Sequence, residues 1–199
     1  MSRSRGMPLP LSAADVDRWR GRLVVTAACY VWMGAVGSDG YGRFSVRAAG
    51  GGERMVTPHQ VAALLGHGSV PAGATLLHDC EVRLCCRYGP GHVRVSTQAE
   101  NMRQAVARGR AVGPRPGMVD VRGRVGVSRA VQAALRDAGT NDSAELAEVL
   151  AQTLAAGDPL ADQLALFQAG PAAPVAADVV FAPVDGPMSA APAASWPLF

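Results

Sequence analysis

No lysine occurs in the 199 residues: all 19 basic positions are arginine. Every cationic contact must therefore be made by a guanidinium group, which pairs with carboxylates and phosphates as a planar fork. Aromatic residues are scarce at 5%, and much of the 49% hydrophobic content is alanine, which buries little area. Only a modest core is expected. The N-terminus has no apolar stretch of the length a secretion signal requires. The longest apolar run, LVVTAACYVWMGAVG at 23–37, is too short and too glycine-broken to cross a bilayer. These absences predict a soluble, cytoplasmic protein of one domain with appendages. Cysteine is also rare: three of the four lie between 80 and 86. Such clustering in an intracellular chain points to metal ligands or buried thiols rather than disulfides.

What is present is unevenly distributed. Residues 1–126 carry 17 arginines against 8 acids, a net of +9, whereas residues 127–199 carry 2 against 8, a net of −6. A coding bias toward G and C explains arginine in place of lysine but not this partition. A basic half suits a polyanionic partner, because each neutralised phosphate releases counterions.

Turn and cap signals divide the chain. After an N-terminal segment at 1–22, ACYVWMGAVGSDGYGRFSVR reads as a hairpin about Ser38-Asp39-Gly40. A second turn at Ala49 to Gly52 leads into ERMVT, giving a small three-stranded antiparallel meander. Trp32, Tyr41 and Phe44 are expected in its core. Thr57-Pro58 opens a helix with an apolar face of Val61, Leu64 and Leu65 that Gly66 ends. ATLLH and HVRV at 92–95 read as antiparallel strands joined by a long loop. Thr97-Gln98-Ala99-Glu100 is a capping-box sequence starting the next helix. Residues 111–127 form a basic linker rich in glycine, proline and arginine. Helices are expected at 128–138, at 142 or 143 to 156, and from Asp158-Pro159 with Leu160, Leu164 and Phe167, making a helical appendage over 128–167. In the tail at 168–199, 16 of 32 residues are alanine or proline, a composition that favours disorder.

Residues 76–102, LLHDCEVRLCCRYGPGHVRVSTQAENM, concentrate two histidines, three cysteines, three acids and an asparagine. Three readings compete: a metal-dependent active site, a structural zinc site, or ordinary core. Taken singly, His78 and His92 are buried or surface imidazoles, Asn101 a helix-surface amide, and the cysteines small hydrophobes. The C-x4-C pair Cys80 and Cys85, with Cys86 and completed by Cys29 or His59, has the donor types of a tetrahedral zinc site, which would stiffen a loop with little core of its own. His59, at the second position of its helix, otherwise packs or caps, and His67 reads as a loop residue.

The order of these motifs resembles the HNH nucleases, in particular a phage and bacterial branch. The matching stretches are Cys29-Tyr30-Val31-Trp32-Met33-Gly34, Gly40-Tyr41-Gly42-Arg43-Phe44, Thr57-Pro58-His59, His78-Asp79-Cys80-Glu81, Cys85-Cys86, His92, Thr97 to Met102, and Gly109-Arg110. Together they span about 29–110, and several ordered motifs are more specific than a lone histidine pair. The resemblance implies an α+β protein in which the meander is joined to a ββα-metal (His-Me finger) core at 23–110. It implies a DNA endonuclease whose hairpin and helix clasp a divalent cation, Mg²⁺ or Mn²⁺. His78 would be the general base, with His92, Asn101 and a carboxylate such as Asp79 holding the cation. Phosphodiester hydrolysis needs both an activated nucleophile and charge neutralisation on phosphorus.

One departure bears on that scheme. Leu77 stands where many such nucleases carry an acid or histidine ligand, and leucine cannot ligate. Asp79 or Glu81 would have to replace it, or the site binds its cation weakly, or activity is lost. Arg83, Arg87, Arg94, Arg103, Arg108 and Arg110 surround the expected site and fit phosphate contacts, which position a duplex without reading its sequence; a solvated charged face is the plainer reading. Two other functions remain open from the residues. One is a catalytically inactive, zinc-stabilised nucleic-acid-binding protein. The other is a zinc module docking on a protein partner through its acidic C-terminal helices.

Overall fold

Caps and chain turns decide where the elements begin in the structure, a computed structural model that describes residues 11–47, 51–108 and 120–157. The described residues form a mixed α+β fold of five helices and three antiparallel two-stranded sheets. In order these are α1 (Ala13–Arg20), β1 (Leu23–Val25), β2 (Tyr30–Trp32), β3 (Phe44–Arg47), β4 (Glu53–Val56), α2 (Pro58–His67), β5 (Thr75–His78), β6 (Val93–Ser96), α3 (Gln98–Ala107), α4 (Gly123–Asp137) and α5 (Ser143–Ala155). No helix among the described residues is long and apolar enough to cross a membrane. The third C-terminal helix from Asp158, the tail at 168–199 and most of the linker lie outside the described residues.

The expected meander is divided differently. β2 pairs with β1, and β3 pairs with β4. The turn at 37–40 does form, with Gly37 N–H donating to the Tyr41 carbonyl at 2.8 Å. The reason β3 does not extend the ladder is that both edges of β2 are taken. One faces β1. The other receives the chain at 84–86, where Trp32 N–H donates to Leu84 at 2.9 Å and Cys86 N–H donates to Tyr30 at 2.7 Å. A chain segment with no strand pattern of its own has occupied the edge that a hairpin partner would use.

The core is small and built around two tryptophans. Trp32 is fully buried and meets Phe44 edge-on, ring centroids 5.5 Å apart, a contact worth about 0.5–1.5 kcal/mol beyond its buried area. Gly42 is what lets this packing close, because a Cβ there would lie 2.5 Å from Trp32 and 2.8 Å from Pro58. Trp19 of α1 is buried too, and its indole N–H donates to the Pro58 carbonyl at 3.0 Å. The N-terminal segment is thus bound into the core through one helix.

Helix boundaries follow backbone capping more closely than side-chain pattern. In α2 the Gln60 side chain accepts from Thr57 N–H at 2.9 Å, and the helix continues through Gly66 to His67, with Gly68 capping at φ 82°. Its buried face is Pro58, Val61, Ala62 and Ala63, leaving Leu65 exposed. α3 has half of the expected capping box. The Thr97 hydroxyl accepts from Glu100 N–H at 3.2 Å, but the Glu100 carboxylate turns instead to Arg103 at 2.7 Å and Arg94 at 3.5 Å. Charge attraction has outcompeted the backbone donor.

The C-terminal helices are docked on the core. α4 starts at Gly123, inside the expected linker, and its Gln132 amide donates to the carbonyls of Trp32 and Gly34 at 2.9 and 2.8 Å. The Ser128 hydroxyl donates to the Gly40 carbonyl. Ala27 N–H reaches the Ser143 carbonyl at the start of α5 at 2.8 Å. The α4 residues therefore close one side of the loop that carries the glycine-rich motif.

Candidate metal centre and histidine cluster

Two adjacent clusters grow out of the β5–loop–β6 unit. β5 and β6 pair with His78 opposite Val93, and Asp79 N–H donates to the His92 carbonyl at 2.9 Å, so the two ends of the long loop are fastened together. This places Cys80 and His92 side by side. Cys85 is brought to the same point by the edge of β2, through the Val31–Cys85 bridge. Cys29 arrives at the start of β2 from a tight turn, in which its N–H donates to the buried Thr26 hydroxyl at 2.8 Å.

The result is a group of four donors, Cys29, Cys80, Cys85 and His92, whose ligand atoms all lie within 4.8 Å of one another. The arrangement is able to hold a metal ion. His92 presents Nδ1, 3.7 Å from each of the sulfurs of Cys29 and Cys85. Tetrahedral zinc with its usual bond lengths sets sulfur and nitrogen ligands about 3.6 Å apart. The donor chemistry and the spacing therefore fit zinc without rearrangement of the backbone.

Protons are unevenly shared among the three thiols. The Cys80 thiol is driven far below its ordinary value, first by Cys29 and then by Cys85 pointing their thiols at it. Burial opposes this, and the side-chain contact with His78 adds to it. Cys29 is pushed far above, through its contact with Cys80, then Cys85 and burial. Cys85 is pushed up to about 12, with Cys29 opposing and Cys80 and burial prevailing. Of the three thiols, Cys80 is thus the one whose neighbours favour the thiolate form.

The zinc donors expected from sequence are redrawn at two places. Cys86 lies outside the group: it is buried, its thiol contacts the Leu84 carbonyl at 3.6 Å, and burial pushes its pKa up. It is a core thiol because it alternates with Cys85 along the β2 edge. His59 is also outside the group, and His92 takes that position.

His59 belongs to the second cluster. His59 and His78 meet edge-on with ring centroids 4.7 Å apart, and Tyr41 lies 5.3 Å from His59 and 5.7 Å from His78. Neither ring nitrogen of His78 has a hydrogen-bond partner, and both are closed off from solvent. His59 Nε2 lies 3.1 Å from the Thr57 hydroxyl. Its pKa is held well below the usual imidazole value, by burial first, then by His78 and Arg43, with Asp39 opposing. Tyr41 was expected in the core, but the period-two alternation of Gly40-Tyr41-Gly42-Arg43-Phe44 sends Phe44 inward and Tyr41 to the histidine side.

The divalent-cation donors implied by the HNH resemblance do not converge. His92 is drawn to the cysteines. The Asp79 carboxylate accepts from Arg94 at 2.7 Å and from the Gln104 amide at 2.8 Å. Burial works to raise its pKa, and those two partners outweigh it and hold it low. Leu77 is buried at 4% exposure, on the opposite face of β5 from His78. Glu81 is held at φ 62° and pairs with Arg108 at 2.8 Å. Asn101 sits half-buried in the first turn of α3, its N–H donating to Thr97. Of the expected set, His92 is thus drawn into the cysteine group, and the Asp79 carboxylate is engaged by Arg94 and Gln104.

The arginines of the basic stretch are largely used inside the protein. Arg94 bonds Asp79 and Glu100, Arg103 bonds Glu100, and Arg108 bonds Glu81 and donates to the Asp79 carbonyl at 3.1 Å. Arg87 donates to the carbonyls of Ala27 and Ala28 at 3.1 and 3.2 Å and lies over Tyr30. Arg83 stands near Asp120, whose carboxyl it helps to hold low. Arg110 lies outside the described residues.

The class these features define is an α+β protein carrying a Cys₃His group able to bind metal beside a half-buried histidine pair. Among known proteins, the chain is 33% identical over 88 residues to Protein 2.8 of Escherichia phage T7, covering 44% of this chain and 56% of the relative. It is 34% identical over 82 residues to Protein 7.7 of the same phage, covering 41% and 58%. The chain thus spans little more than half the length of the curated relatives it matches. No family model matches the chain, and no solved structure matches it.

Proposed function

We propose that the protein is a DNA endonuclease of the HNH type, built on a zinc-stabilised ββα unit, in which His78 is the general base. The observation that carries this reading is His78 itself: a half-buried imidazole at the end of β5 whose two ring nitrogens are shielded from solvent and have no hydrogen-bond partner. A buried polar group left unpaired costs about 1–3 kcal/mol, so folds retain one where an external atom completes it. A nucleophilic water or a phosphate oxygen is such an atom. DNA as the partner is supported by the basic N-terminal two-thirds and the order of the motifs, and bacterial or phage origin by the T7 relatives.

Zinc is assigned to Cys29, Cys80, Cys85 and His92 as a structural ion. Ordering the 14 loop residues from 79 to 92 costs about 14–28 kcal/mol at about 1–2 kcal/mol each. Burial of Val82 and Leu84 returns about 3–6 kcal/mol. A structural zinc site contributes about 10–16 kcal/mol, which closes most of the difference. Four protein donors also leave no open coordination position, the arrangement of a structural rather than a catalytic site.

Plasmid nicking in the presence of Mn²⁺ or Mg²⁺ tests the reading. His78→Ala is expected to slow cleavage on the order of 100- to 10,000-fold while retaining zinc; cleavage at the parental rate would remove His78 from the chemistry. A second reading, a nucleic-acid-binding protein without cleavage, is favoured by buried Leu77 and by the inward pairing of Asp79 with Arg94. Salt-dependent DNA binding with no nicking in any divalent ion would establish it instead.

A further inference from the structure

With the expected cation donors dispersed, the position beside His78 needs another source of ligation, and the structure supplies one from a different element. We propose that His59, at the start of α2, is the protein donor to an exchangeable divalent cation next to His78, in the place that Leu77 cannot fill. The inference rests on the nuclease reading only in supposing that a cation is needed there.

The geometry is specific. Imidazoles that bind metal through one nitrogen characteristically bond an oxygen through the other, which fixes ring orientation and tautomer. His59 Nε2 has that oxygen in the Thr57 hydroxyl at 3.1 Å, leaving Nδ1 for an ion. The ring is further fixed because Thr57 and Pro58 form the cap and first position of the helix. Its environment keeps His59 neutral, the protonation state a ligand requires. His78, 4.7 Å away between centroids, has no hydrogen-bond partner at either nitrogen. The two rings therefore differ: one is held in place by an oxygen at one nitrogen, and the other has no hydrogen-bond partner at either.

The donor type also sets the ion. Imidazole suits zinc, iron, nickel and copper, whereas manganese and magnesium take mainly oxygen ligands, so Mn²⁺ serves here as a paramagnetic probe of a shell that oxygen completes. A single protein nitrogen makes a weak site in the free protein, with substrate phosphate and water completing the shell, as is common at phosphate-handling cations. This second site differs in kind from the Cys₃His group, whose four donors need no help.

Paramagnetic titration of the zinc-loaded, full-length protein tests the assignment. Mn²⁺ is added while the imidazole nitrogen and carbon-bound proton signals of His59, His67, His78 and His92 are followed by NMR, and Mn²⁺ affinity is measured by electron paramagnetic resonance. The expected result is selective broadening of His59 and His78, little effect on the exposed His67, and at least a tenfold loss of Mn²⁺ affinity in His59→Ala with zinc content unchanged. Equal Mn²⁺ affinity in His59→Ala and parent, or broadening that spares His59, overturns it. His59→Gln guards against packing loss, because it fills similar volume; recovery of stability without recovery of Mn²⁺ affinity is the expected outcome. A protein that binds Mn²⁺ through His59 but never nicks DNA would refute the nuclease reading and leave this site standing. A protein that nicks DNA with His59→Gln as fast as the parent and with equal Mn²⁺ affinity would do the reverse.

Discussion

The Cys₃His group and the His59–His78 pair lie two residues apart in sequence, at Cys80 and His78, yet they are opposites as sites. The first has four donors within 4.8 Å, and the neighbouring thiols lower the pKa of Cys80. The second has rings in contact and, at His78, two nitrogens without a hydrogen-bond partner. A saturated donor set leaves no position for substrate, whereas an unsaturated one does. The two neighbouring histidines of the hairpin, His78 and His92, thus belong to different clusters although they occupy adjacent strand ends.

Breaking the first site should produce the largest effect. Cys85→Ser is expected to reduce bound zinc from about one ion per chain to a small fraction and to lower the melting temperature by at least about 10 °C, read by metal analysis and calorimetry. Retention of both would show that these thiols are merely core. Against this, His78→Ala should leave zinc and melting temperature nearly intact while nicking falls by the factor given above, about 3–5 kcal/mol of barrier. If both variants lose zinc equally, the two clusters are one unit.

A smaller effect sharpens the role of the helices that surround the pair. Gln132→Ala removes the amide that meets the Trp32 and Gly34 carbonyls and should destabilise by about 1–3 kcal/mol, measured by urea unfolding. An unchanged midpoint would mean that α4 is not coupled to the core. The smallest effect concerns Asp120, paired with Arg122 at 2.6 Å. Its carboxyl is held below the ordinary value of 3.8 chiefly by that hydrogen bond, with burial opposing. The pair's contribution is therefore complete above about pH 4 and is lost as pH falls through the depressed folded value. Asp120→Asn should cost about 0.2–1 kcal/mol at pH 7, a difference that shrinks in acid. A gap that widens below pH 4 would contradict the assignment.

Local signals were legible where the backbone itself was constrained. Thr57-Pro58, Asp142 and Thr97 begin helices as their cap chemistry requires, and the β5–β6 hairpin follows its β-branched and leucine pattern. Some failures were element ends, such as α2 running past Gly66 and α4 starting at Gly123; the others were partner choices. Glu100 had a backbone donor and two arginines in reach and took the arginines. β2 had two possible neighbours and took residues 84–86 in place of β3. His59 and His92 were each assigned by sequence to the other's surroundings, since spacing along a chain carries no information about which loop folds over which.

By itself, then, the order of residues determined the mixed α+β class, the β–loop–β–helix unit, the shortage of core and the presence of metal-type donors. Only the tertiary structure decided that Cys29 and His92 complete the cysteine group and that His59 and Tyr41 surround His78. The physical reason is separation: Cys29 and His92 stand 63 residues apart. Such distant groups meet through strand edges and loop closures whose energies depend on every competing partner at once.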